Sequence, residues 1–97
     1  MVHPAQIRAA RALLGWRQED LARAAGIGVA TVRRIEVLKS PAGNVATLIS
    51  IQRALEKAGV LFLDADQSTG FGVRLSSPLD KSPRSGERAD PKETMRR

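Results

Sequence analysis

Apolar positions recur at helical spacing through the first 58 residues and at strand spacing after them. Pro4 suits a first helical turn, Ile7, Ala10 and Leu14 follow at three- and four-residue intervals, and Gly15 suits a left-handed C-cap, so the first helix is expected over 4–14. A second helix is expected over 18–25, with Leu21, Ala22 and Ala25 on one face and Gly26 stopping it. In a third, over 29–38, Val32 and Ile35 point inward, leaving Arg33, Arg34 and Glu36 on the outer side. Ser40-Pro41-Ala42-Gly43 reads as a loop, because a proline biases the residue before it away from helix. Asn44 then caps a fourth helix over 45–58, whose Leu48, Ile51, Leu55 and Ala58 form an inward stripe and whose end Gly59 marks.

From residue 60 the period changes. Val60-Leu61-Phe62-Leu63, a polar stretch from Asp64 to Gly70, and Phe71 to Leu75 read as a β-hairpin. Phe71, Val73 and Leu75 alternate with Gly72 and Arg74, as a half-buried strand requires. A lone two-stranded hairpin is marginal in water, so this one must pack on the helices or on a second chain, which makes it a dimerisation candidate. Beyond Ser76, Pro78, Pro83 and Pro91 stand among serines and mixed charge, with Leu79, Ala89 and Met95 as the apolar residues. Such a stretch buries too little surface to offset its ordering entropy and reads as a disordered tail. The expected organisation is therefore 1–58 as a helical domain, 59–76 as a hairpin and 77–97 as a tail.

Composition narrows the chemistry. The 97 residues include no Cys and a single His, so no disulfide framework, thiolate nucleophile or zinc knuckle is available, and His3, near the start of the chain, is given no role. No apolar run approaches the roughly 20 residues of a spanning helix, and no signal-peptide core opens the sequence, which reads as soluble and cytoplasmic. No nucleophile, base and orienting group can be assembled, so no enzyme activity and no cofactor are expected. Sixteen Lys and Arg against ten Asp and Glu give +6. Residues 1–57 hold nine basic and four acidic side chains (+5), residues 58–75 one and two (−1), and residues 76–97 six and four (+2). A basic segment that folds attracts polyanions, nucleic acid or an acidic membrane surface among them.

Residues 18–37 combine helix, tight turn and helix. Ala22 lets two helices approach, Gly26 makes the turn, and Leu21, Ile27, Val32 and Ile35 fill the space between, which is a helix-turn-helix pattern. The run Gln18-Glu19-Asp20-Leu21-Ala22-Arg23-Ala24-Ala25-Gly26-Ile27, followed by Thr31-Val32-Arg33-Arg34-Ile35-Glu36, resembles the Xre and lambda-repressor-like family of DNA-binding domains over about residues 4–58. The hairpin is similar to one appended to some small bacterial regulators of that family.

The resemblance implies a mainly α fold, a bundle of four or five helices that lays its third helix in the DNA major groove. Carried over position by position, it assigns base contacts to Val29, Ala30, Thr31, Arg33 and Arg34, and phosphate contacts to Arg17, Gln18, Lys39, Ser40 and Asn44. Arginine can pair with guanine O6 and N7, while Val29, Ala30 and the Thr31 methyl suit a thymine methyl. Two positions depart from the family pattern: Arg17 stands where Ser or Thr often caps the second helix, and Gly28 where one often caps the third.

The remaining polar features read as structural. Glu19 and Asp20, neighbours on a helix, point about 100° apart and suit the first turn of a helix dipole rather than acid–base chemistry. Asp64 and Asp66 lack the further ligands a cation needs and read as turn residues. Gly26-Ile27-Gly28 and Gly70-Phe71-Gly72 lack the third glycine of a dinucleotide fingerprint and read as turns. Trp16 reads as packing between helices. The expected function is a bacterial transcriptional regulator that binds a pseudo-palindromic operator as a homodimer. The alternatives are an antitoxin, whose hairpin or tail grips a toxin protein while the helices autorepress its operon, and an adaptor that binds protein.

Overall fold

The computed structural model describes residues 2–39 and 44–77; the expected 40–43 loop, Ser40 as a phosphate contact, and the tail from residue 78 onward lie outside them. Four helices, α1 (Pro4–Leu14), α2 (Gln18–Ala25), α3 (Val29–Glu36) and α4 (Val45–Lys57), precede two antiparallel strands, β1 (Val60–Leu63) and β2 (Gly72–Leu75). One core joins all of them. Ile7, Ala10 and Leu14 of α1, Leu21 and Ala22 of α2, Val32 and Ile35 of α3, and Leu48, Ile51 and Leu55 of α4 are buried together, with Val2 and Val60 at the margins. A large aliphatic side chain buried in this way stabilises the fold by about 1.5–3 kcal/mol. Trp16 packs on the edge of this core, as its place between α1 and α2 suggests.

The ends of the helices follow the punctuation of the sequence. Gly15 and Gly26 take left-handed conformations with φ of 71° and 72°, and each returns its N–H to a carbonyl of the helix it closes. Asn44 caps α4, its Oδ1 accepting from Ala46 N at 2.8 Å and Thr47 N at 3.3 Å. α3 stops at Glu36, before the expected Leu38, because Leu38 N turns back to Ile35 O at 3.2 Å, and Arg8 takes the Glu36 carbonyl that this end leaves open. Ala58 is the C-cap of α4 rather than its last turn.

His3 is not idle. Its Nδ1 accepts from Ala5 N at 3.0 Å, and Gln6 Oε1 accepts from His3 N at 2.9 Å, a reciprocal cap that satisfies otherwise orphaned N–H groups at the start of α1. The imidazole also stacks on Phe71 with ring centroids 4.6 Å apart. Phe71 precedes β2 rather than belonging to it as expected, and its ring packs on the start of α1. Gly72 lies in the strand and not in a turn.

The hairpin is fastened to the bundle by one buried amide. Gln6 Nε2 donates to Leu63 O at 3.2 Å and to Gly72 O at 2.9 Å, bridging the last residue of β1 and the first of β2. Gly59, at φ 108°, ends α4 and opens the hairpin at once, its carbonyl accepting from Ser76 N at 2.7 Å. Val60 pairs with Leu75, Leu61 with Arg74, Phe62 with Val73 and Leu63 with Gly72. Val60, Phe62, Val73 and Leu75 face the helices, and Leu61, Leu63 and Arg74 face outward. Asp66 shapes the connecting loop, with Oδ1 accepting from the N–H and hydroxyl groups of both Ser68 and Thr69. These donors hold its carboxyl below its ordinary pKa.

Candidate nucleic-acid interface

α3 shows a mixed face to solvent. Ala30, Arg33 and Arg34 are exposed, Thr31 is half-buried, and Val29 packs partly against the core. Residues 30, 33, 34 and 37 fall at helical three- and four-residue spacing, so Val37, 73% exposed, continues the same stripe past the helix end. The spacing from Arg33 and Arg34 was the signal for Val37, hidden because the residue looks like core. Arg34 Nη2 lies 3.4 Å from Thr31 Oγ1, a long contact that leaves the guanidinium free to reach outward.

Glu36 does not lie on this outer face. It sits one position after Ile35 and four after Val32, on the buried side of α3, and is 2% exposed. Arg11 of α1 grips its carboxylate at two points, Nε to Oε2 at 2.7 Å and Nη2 to Oε1 at 2.9 Å. Gln18 Nε2, at the start of α2, donates to the same Oε1 at 3.1 Å. Arg8 Nη1 donates to the Glu36 backbone carbonyl, and Arg11 Nη1 to Trp16 O at 3.0 Å. One buried carboxylate therefore ties α3 to α1 and to the start of α2. Buried charges survive only when paired and hydrogen-bonded, and this one has both kinds of partner. Arg8 and Arg11 come from α1, Gln18 from the start of α2 and Glu36 from the end of α3, so no local pattern in the sequence announces the group.

The other sequence-derived positions surround α3 unevenly. Arg17 is the N-cap residue of α2 without a capping oxygen, and Asp20 reaches back to its N–H at 2.8 Å instead. That backbone hydrogen bond, helped by the guanidinium groups of Arg17 and Arg23, holds the Asp20 carboxyl below its ordinary pKa. Arg17 and Arg23 each lie 3.5 Å from Asp20 and remain largely exposed, so neither charge is sequestered. Gln18 uses one amide N–H on Glu36 and keeps the second. Lys39 and Asn44 are exposed, and the Asn44 oxygen is occupied by its cap. Glu19 is exposed and Asp20 serves the helix start, which is the structural reading of that acidic pair.

Among the described residues no group of His, Cys, Asp and Glu is gathered as metal ligands, and no helix is long and apolar enough to cross a membrane. A search for similar curated proteins finds no match. A family model described as helix-turn-helix, HTH_3, matches residues 7–58, more than half of the 97-residue chain. The match runs from the buried Ile7 of α1 to the Ala58 cap of α4, and so takes in most of α1 and all of α2, α3 and α4. The chain belongs to the Xre and lambda-repressor-like helix-turn-helix family of DNA-binding regulators.

Proposed function

We propose that this protein is a sequence-specific, double-stranded-DNA-binding transcriptional regulator of the bacterial cytoplasm that binds a pseudo-palindromic operator as a homodimer. The observation that carries the reading is α3, whose exposed Ala30, Arg33 and Arg34 stand on a helix locked at its far end by Glu36. A recognition element must hold its side chains in register with base edges, and a helix tethered to two neighbours does so at little entropic cost. Arg33 and Arg34 read guanine, and Ala30, with the half-buried Val29 and Thr31, meets thymine methyls. Arg17, Gln18, Lys39, Ser40 and Asn44 take phosphates, the free Gln18 amide N–H donating alongside the backbone N–H groups that open α2.

The labour is divided along the chain: residues 1–58 read DNA and residues 59–76 join two copies. Two copies related by a two-fold axis place one α3 per half-site, with half-site centres about 10 bp apart. The protein needs no catalysis and no cofactor for this task.

Selection of duplexes from a random pool by the purified full-length chain, at about 150 mM salt where nonspecific binding is suppressed, tests the reading. Enrichment of a two-fold motif is expected. A folded protein that enriches nothing overturns specific DNA reading and turns attention to a toxin or other protein as the partner.

A further inference from the structure

The two strands of the hairpin are built differently. β2 alternates, with Arg74 outward between Val73 and Leu75, and a charged side chain on an edge strand discourages further pairing. β1 is apolar at all four positions, Val60-Leu61-Phe62-Leu63, a pattern suited to a strand covered on both faces and both edges. Yet Leu61 and Leu63 are 42% and 38% exposed, and no charge, proline or bulge protects the strand.

The hydrogen-bond phase shows which backbone groups are unused. Ser76 N donates to Gly59 O, so in this register residues 59, 61 and 63 turn their N–H and C=O toward β2. Val60 and Phe62 then turn theirs away from it. Among the described residues no backbone hydrogen bond from outside the hairpin reaches either one.

Resting on the homodimer reading above, we propose that the outer edge of β1 pairs antiparallel with β1 of a second copy, giving a continuous four-stranded sheet in the order β2-β1-β1-β2. A two-fold axis through Leu61 sets Val60 of each copy opposite Phe62 of the other, as hydrogen-bonded pairs that use the free groups. The inner row becomes Leu75, Val60, Phe62 and Val73, all apolar. The outer face brings Leu61 against Leu61. An axis through Phe62 would instead oppose Val60 with Asp64 and put a carboxylate into the apolar row. A second copy fits better than another partner because a strand with itself satisfies two-fold symmetry. Charge agrees: residues 58–75 hold one basic and two acidic side chains, whereas residues 1–57 carry +5, so the hairpin is where two cationic copies meet with least repulsion.

The test uses the full chain, which has no cysteine of its own. In the proposed pairing the Leu61 α-carbons are about 4.5 Å apart, within disulfide reach, so Leu61→Cys under mild oxidation should become a covalent dimer. Ala24→Cys, exposed on α2, is the control and should not. Leu61→Lys, which places like charges on the axis, should turn the wild-type dimer into a monomer by light scattering with unchanged helical circular dichroism. A wild-type dimer in which Leu61→Cys links no faster than the control and Leu61→Lys stays dimeric overturns the strand pairing and leaves the homodimer standing. A wild-type monomer overturns both.

Discussion

Arg11 and Glu36 meet as a two-point fork, Nε to Oε2 at 2.7 Å and Nη2 to Oε1 at 2.9 Å, across the space between α1 and α3. The glutamate side chain is 3% exposed and the arginine side chain 19%. Removing one partner strands the other charge in a place water scarcely reaches, a loss of about 3–5 kcal/mol for such pairs. Glu36→Ala and Arg11→Ala are expected to fall in that range by urea unfolding followed by circular dichroism. The pair Arg11→Met with Glu36→Leu should cost markedly less than the sum of the single changes. If the two single losses simply add, the fork is not the unit that holds α3.

Gln6 gives the second prediction. Its Nε2 serves both Leu63 O and Gly72 O, so Gln6→Leu keeps the apolar stem and removes the donor that ties the end of the hairpin to α1. Hydrogen bonds of this kind are worth about 0.5–1.5 kcal/mol each. The effect should concentrate in the hairpin, read as faster amide hydrogen exchange in residues 60–63 and 72–75 with little change in α2 and α3. Uniform acceleration through the whole chain would show that Gln6 supports the bundle rather than the hairpin.

Much of this fold was legible because its punctuation is local. Pro4, Gly15, Gly26, Asn44 and Gly59 act on their own helices, so the bounds of α1 and α2 and the starts of α3 and α4 follow from the chain alone. What escaped depends on distant partners. Glu36 looks like a solvated acid until Arg11, twenty-five positions earlier, is brought to it, and His3 looks idle until Phe71 folds back on it. The α3 end illustrates the same point: helical propensity carries on to Leu38, but Leu38 N turns back to Ile35 O, and a side chain from α1 takes the Glu36 carbonyl that the ended helix leaves open. The candidate interface divides likewise, since the exposed arginines are visible as a pattern while the group that fixes their helix is not.

Two glycines of the helix-turn-helix should respond oppositely to substitution. Gly26 sits at φ 72° with open space where a Cβ would point, so Gly26→Ala meets no neighbour and its cost is that of the left-handed backbone, about 1–2 kcal/mol. Gly28 caps α3 at φ −78° and ψ 150°, with equally open space, and Gly28→Ser supplies the missing capping oxygen for a gain of a few tenths of a kcal/mol. Thermal unfolding of the two variants side by side should give a lower midpoint for the first and an equal or higher one for the second.

Acid should weaken the protein through Asp20 and Asp66. Both carboxyls sit below their ordinary pKa because backbone N–H groups donate to them, Arg17 to the first and Ser68 and Thr69 to the second. A group with a depressed folded pKa contributes stability that is complete above its unfolded pKa and is lost as pH falls through the folded one. The unfolding midpoint should therefore decline as pH falls through the ordinary aspartate range and below it. Asp66→Asn keeps an oxygen acceptor without the titration, so its decline should be shallower than that of the wild type. An identical slope would remove Asp66 from the acid response.

The interface prediction separates reading from gripping. Arg33 and Arg34 are exposed on α3 and tie up no other part of the fold, so Arg33→Ala and Arg34→Ala should leave the unfolding midpoint within error. On the preferred duplex each should lose about 1–3 kcal/mol of binding and relax one base position, with little change on random DNA. Gln18→Ala should behave differently on both counts. Its amide bonds to Glu36 at 3.1 Å while facing the opening of α2, so the variant should weaken all duplexes evenly and also lower stability by roughly the 1 kcal/mol of one hydrogen bond. Binding isotherms on specific and random duplexes, read beside urea unfolding of the same samples, distinguish the cases. Equal losses on both duplexes for the two arginine variants would remove them from base reading and leave them as phosphate contacts, because a base contact is worth nothing where its base is missing.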